Sequence, residues 1–123
     1  MYKLAKNVLS DWWNEEYYFG IVPIRIDQEK VLSQNGYIQF TPDLIIYDIT
    51  GIRAFAEVVY SNPVHPLKMW KIWWWCDLHH IKPLVIEVDA TWIMRQTVAP
   101  DKLPCKIISN RFINYEIDSF ITK

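Results

Sequence analysis

Hydrophobic and polar positions follow two different periods along this chain. Over residues 2–18, Leu4, Ala5, Val8, Leu9, Trp12 and Trp13 recur at helical spacing, with Lys3, Lys6, Asn7, Ser10, Asp11 and Asn14 between them. That pattern predicts a helix, closed near Gly20. From Ile21 the period shortens. Residues 21–27 alternate loosely and predict a first strand, with Pro23 marking its start or an edge. Residues 28–34 are mostly polar and read as a helical turn or a long excursion. Asn35-Gly36 is a strong turn signal. Residues 37–47 predict a second strand, kinked at Pro42, and residues 52–61 a third.

Asn62-Pro63 breaks the strand pattern, and Pro66 suits the first turn of a helix. That helix is predicted over residues 67–80. At 100° per residue it carries two apolar faces, one of Leu67, Trp70, Trp74 and Leu78 and one of Met69, Trp73, Cys76 and His80. Two such faces predict a helix packed on more than one side. A third stripe, Lys68, Lys71, Trp75 and His79, mixes cations, an indole and an imidazole. It could meet a phosphate backbone and stack on a base or sugar, or form a solvated basic face. Residues 82–90 predict a strand. Strand–helix–strand order from Ile52 to Ala90 suits a parallel pair with a right-handed crossover. A short helix over 91–97, a loop over 98–103 and a strand or cover over 106–115, including Phe112 and Ile113, complete the chain.

Two carboxylates interrupt the apolar strands: Asp43 after a proline, and Glu57 in mid-strand. Asp48-Ile49-Thr50-Gly51 supplies turn chemistry between them. If Tyr47 pairs with Arg53 across a five-residue loop, Asp43 lies opposite Glu57, with Cβ atoms roughly 5 Å apart. A one-residue slip would put them on opposite faces. Two like charges in an apolar sheet are costly unless a cation or proton compensates. A divalent metal is the obvious compensator, because hard cations take oxygen ligands.

Pro42-Asp43, a hydrophobic strand, a glycine turn and Ala56-Glu57-Val58-Val59 resemble the PD-(D/E)XK nuclease superfamily, the restriction-endonuclease-like fold. Ser61-Asn62-Pro63-Val64-His65-Pro66-Leu67-Lys68 and Val85-Ile86-Glu87-Val88-Asp89 resemble the branch around competence-associated nucleases. The resemblance spans residues 40–90, and its motifs are short. It implies a single α/β domain over residues 1–123 with an αβββαβ core, a mixed, mostly antiparallel sheet flanked by helices. It also implies Mg²⁺ or Mn²⁺ held by Asp43, Glu57 and the Val58 carbonyl oxygen, with Glu16 or Glu15 from the first helix completing the shell. A solvated helix end is the plainer reading of those two glutamates. Val59 stands where the family carries its catalytic lysine. The lysine would then come from the next helix, as Lys68 or Lys71, or the domain binds without cutting.

Composition narrows the alternatives. The chain has 123 residues, with seven Trp, seven Tyr and five Phe, and a formal charge of −1. That size suits one domain with a sizeable core. Near-neutrality gives no global electrostatic case for nucleic-acid binding, so any basic surface is local. The three glycines are isolated, which argues against a phosphate-binding loop. Cys76 and His80, with His65, invite a zinc reading, but no second ligand pair supports it; helix packing explains Cys76 and His80 more simply. Glu87 and Asp89 share a strand face and rank below the Asp43–Glu57 pair. The opening residues read as a helix rather than a signal peptide, and no apolar run reaches the length of a membrane span. A cytoplasmic setting is expected, with no membrane partner.

Two functions fit this sequence. One is a metal-dependent nuclease hydrolysing phosphodiester bonds, of DNA rather than RNA. The other is a catalytically degenerate domain of the same fold that binds nucleic acid or protein, a reading supported by Val59 and the high Trp content. A homodimer fits both, since a chain this small needs two copies to cut both strands of a duplex.

Overall fold

The computed structural model describes residues 2–109. The first helix, α1, spans Tyr2–Glu16 and ends in a short 3₁₀ turn, Tyr18–Gly20. Strand β1, Arg25–Gln28, is shorter than its alternation suggested. The polar excursion is in fact a strand, β2 (Leu32–Gln34), paired antiparallel with β3 (Ile38–Phe40) across the Asn35-Gly36 turn. The single second strand expected over residues 37–47 is thus two, because Pro42 has no N–H to donate to a ladder. β3 belongs to the small hairpin, and β4 (Leu44–Asp48) to the main sheet.

Among the described residues the main sheet has five strands in the order β1-β4-β5-β6-β7, where β5 is Gly51–Val59, β6 Leu84–Asp89 and β7 Lys106–Ile107. The β5–β6 pair is parallel and the other three are antiparallel. α2 (Pro66–Leu78) makes the crossover between β5 and β6, and α3 (Ala90–Arg95) follows β6 directly. Along the chain the main layer runs α1, β1, β4, β5, α2, β6, α3 and β7, with the β2–β3 hairpin inserted after β1. Beyond Ser109 the expected strand over 106–115 lies outside the described residues.

The pleat divides the core in two. Ala54, Ala56 and Val58 of β5, with Ile86 and Val88 of β6, face Ala5, Leu9, Trp12 and Trp13 of α1. The small alanines leave room for two indoles against the sheet. Phe55 and Val85, on the opposite face, meet Met69, Ile72, Trp75 and Cys76 of α2, with Phe40 and Ile38 of the hairpin. The result is a single small α/β domain with a mixed sheet between helices. No helix among the described residues is long and apolar enough to cross a membrane.

The β4–β5 register holds where it matters and shifts where it does not. Leu44, Ile45 and Ile46 pair with Ala56, Phe55 and Ala54, as the Asp43–Glu57 argument requires. A bulge between Ile46 and Tyr47 then moves Tyr47 onto Ile52 and Asp48 onto Gly51. The loop is therefore two residues, not five. Asp48 Oδ1 accepts from the Thr50 N–H at 2.7 Å, and Gly51 has φ of 117°, the turn chemistry expected of an Asp and a Gly.

Candidate active site

Asp43 precedes β4, and Glu57 sits on β5, one register step past the Leu44–Ala56 pair. They are locked together through the backbone. The Asp43 N–H donates to Glu57 Oε2 at 3.0 Å, and the Val58 N–H donates to Asp43 Oδ2 at 2.8 Å. Each carboxylate thus uses one oxygen to fix the other's position. Because a strand residue turns its N–H and C=O toward the same neighbour, the Val58 carbonyl is directed to the Asp43 side as well.

The remaining oxygens meet two lysines from opposite faces of the sheet. Lys68, in the first turn of α2, brings its Nζ to 2.6 Å from Glu57 Oε1. This ion pair is the contact that compensates the buried Oε1. Lys6, from α1, reaches Asp43 Oδ1 at 3.0 Å and Glu29 Oε1 at 2.6 Å. Glu57 is only 1% exposed. Burial pushes its pKa up to about 7, with the Asp43 charge acting in the same direction and Lys68 in the other. Burial works against the Lys6 ammonium, but its bonds to Glu29 and Asp43 outweigh that and hold its pKa above the usual lysine value.

Helix α2 is placed for this by its start. Pro66 occupies its first turn, and His65 Nδ1 accepts from the Leu67 N–H at 3.1 Å, satisfying a donor that the helix leaves open. An open cavity of about 390 Å³ adjoins Lys68, lined also by Lys71, Leu67, His65, Thr41 and Gln39. Of the two candidate lysines, Lys68 makes the Glu57 contact, and Lys71 lies one turn on in the cavity wall.

Several expected residues are placed elsewhere. Glu16 and Glu15 are exposed at the end of α1. Lys6 is the α1 residue at Asp43, and Glu16 stands ten positions further on, about 15 Å along the axis. Glu16 therefore does not complete the shell. Trp75 is buried, T-shaped against Phe40, and its Nε1–H donates to the Ser33 carbonyl at 3.3 Å. His79 stacks on Trp75 at 4.0 Å and meets Gln34 Oε1 at 3.1 Å. Trp75 and His79 tie the hairpin to α2, and the buried Trp75 offers no free ring face for a base. The zinc reading fails too. Cys76 is a core residue, its thiol pushed up to about 12 by burial; His80 is exposed, and His65 caps a helix. Among the described residues no group of three or more His, Cys, Asp or Glu side chains is arranged to hold a metal. Glu87 Oε2 accepts from the Val64 N–H at 2.8 Å. Asp89 caps α3 by accepting from the Thr91 and Trp92 N–H groups.

Lys6 is the site residue the sequence reading missed, since it was assigned to the polar side of α1. A signal existed: on a helical wheel it falls only about 20° from Trp13, at the edge of the apolar arc. The other surprise is on α2. Only the Met69–Ile72–Cys76 side is buried, and the Leu67–Trp70–Trp74–Leu78 face, expected to pack, is exposed.

No protein-family model matches the chain, and no curated protein or solved structure matches it. Family and function are therefore argued from the site.

Proposed function

We propose that the chain is a restriction-endonuclease-like, metal-dependent nuclease of the PD-(D/E)XK type, acting on DNA in the cytoplasm, with its catalytic lysine relocated to α2. The observation that carries this reading is the Lys68 ammonium 2.6 Å from Glu57, in the pair already joined to Asp43. Val59 leaves the usual lysine position apolar, and Lys68 supplies the same charge from the opposite element.

The donor set fits a hard divalent cation. Two carboxylates from adjacent strands converge, the Asp43 N–H lying 3.0 Å from Glu57 Oε2, and oxygen ligands are what Mg²⁺ and Mn²⁺ take. Such an ion would lower the pKa of a bound water and offset charge on the phosphate. Asp43 and Glu57 would hold it, with the Val58 carbonyl as a third ligand. Lys68, between Glu57 and the open cavity, would meet a phosphate oxygen and steady the charge that builds on it. Lys71, in the cavity wall, would contact the neighbouring backbone, and Lys6 would hold Asp43 in orientation. Cutting both strands of a duplex would take two copies. The two cysteines are free thiols, which suits a reducing compartment.

A second reading, a domain that keeps this fold without the chemistry, is favoured by Val59 and by the engagement of Asp43 and Glu57 with two of the chain's own lysines. Calorimetric titration of Mn²⁺ separates the two. Binding that disappears in the Asp43→Ala/Glu57→Ala protein supports the nuclease. No binding by the wild type, with or without a DNA strand, supports the second reading.

A further inference from the structure

Helix α2 leaves four large apolar side chains on one exposed face. Trp70 and Trp74 are each 37% exposed, Leu67 and Leu78 more so. The two indoles meet edge to face, with centroids 4.5 Å apart, so they form one aromatic ledge. Contiguous apolar surface of this kind marks a contact site. What borders it identifies the partner. Leu67 belongs both to the ledge and to the cavity beside Lys68, and Lys71 lines that same cavity. On the helical wheel Lys71 falls between Leu78 and Lys68. Leu67 and Lys71 therefore link the two Trp rings to the cavity beside Lys68, behind which Glu57 is buried. Asp77, exposed on the far side of Trp70, makes the track cationic only on the side of the carboxylates.

We infer that this ledge binds a single strand of DNA leading into the carboxylate site, its unpaired bases on Trp70 and Trp74 and its phosphates at Lys71 and Lys68. A cationic groove combined with stacking rings is how single strands are held without sequence preference. A paired duplex keeps its base faces within its own stack, so the ledge selects unpaired bases. The inference rests on the nuclease reading for the direction of the track, but its binding step is independent of cleavage.

The test is fluorescence anisotropy of a labelled 20-nucleotide oligo(dT) with full-length protein, in EDTA so that no metal-dependent cutting occurs. Stacking supports about 5- to 150-fold in affinity per base. The Trp70→Leu/Trp74→Leu protein, which keeps an apolar face, should bind at least tenfold more weakly, and Trp70→Phe/Trp74→Phe should recover most of that loss. Lys71→Gln should lower the slope of log affinity against log salt by about 0.7. Wild-type affinity in the Leu variant would overturn the inference. So would a preference for duplex, binding of oligo(rU) in place of oligo(dT), or a wild-type dimer that the Leu variant dissociates, which would make the ledge an interface between copies. Oligonucleotide binding with no Mn²⁺-dependent cutting would sink the nuclease reading and leave the inference standing. Cutting that is unaffected by the Leu substitutions would do the reverse.

Discussion

Glu57→Gln should flatten the dependence of stability on pH. Glu57 is nearly inaccessible to water, and burial raises its pKa from 4.5 to about 7. The folded state therefore binds the Glu57 proton more tightly than the unfolded chain does. Between those two values folding takes up a proton, so stability falls as pH rises through the window. At about 1.4 kcal/mol per unit, the buried carboxylate costs about 3 kcal/mol by pH 8 relative to pH 4. Glutamine keeps an oxygen for the Asp43 N–H but has nothing to ionise. Urea unfolding of both proteins at intervals from pH 4.5 to 8, in EDTA, gives the difference directly. The wild type should lose about 3 kcal/mol relative to Glu57→Gln over this range, with most of the change between pH 5 and 7. Parallel curves, or a wild type that gains stability relative to the variant, would refute the claim that an ionised Glu57 is held against its desolvation.

Lys6→Met removes the cation between Asp43 and Glu29 and should destabilise the protein by about 2 kcal/mol, less than a fully buried pair because Glu29 is half exposed. Added Mn²⁺ should narrow that deficit in thermal melts; a deficit unchanged by Mn²⁺ would show that Lys6 and the metal do not share Asp43. Trp75→Ala should cost about 3–5 kcal/mol and free the β2–β3 hairpin. Faster amide exchange at residues 32–40 would show it, and unchanged exchange there would contradict the packing described.

The sequence was most legible where local chemistry and periodicity agree. The apolar strands on either side of the Asp-Ile-Thr-Gly turn show in the sequence, and the Asp43–Glu57 register holds, but the turn's own pairing of Asp48 with Gly51 reaches it only through a bulge. The bulge at Ile46/Tyr47 was hidden, because an extra residue in one strand leaves no mark on an apolar run. Residues 28–40 misled for a related reason. β2 and β3 are three residues each, too short to display a period, and they form a ladder with each other instead of joining the main sheet, packing on α2 and Phe55. On α2 the periodicity identified the apolar faces, but not which of them meets the sheet. Trp75 fell in the cationic stripe on the wheel, yet the hairpin covers it, whereas Trp70 and Trp74 remain in solvent. Glu16 lies on the apolar arc of α1 but in its last turn, where it is exposed. Lys6 lies on the border of that arc, and a wheel gives a side chain's direction without naming a carboxylate across the interface.

The central claim is that Lys68 takes the place of the lysine missing at Val59. It is tested most directly by the rate of cleavage of single-stranded circular and supercoiled DNA with Mn²⁺, for the wild type, Lys68→Met and Lys68→Arg. The account predicts that Lys68→Met lowers the rate by about 10²–10³ while calorimetric Mn²⁺ binding at Asp43 and Glu57 persists, with partial recovery in Lys68→Arg. Cleavage by Lys68→Met at the wild-type rate, or a wild type that binds Mn²⁺ and cuts neither substrate, would contradict it.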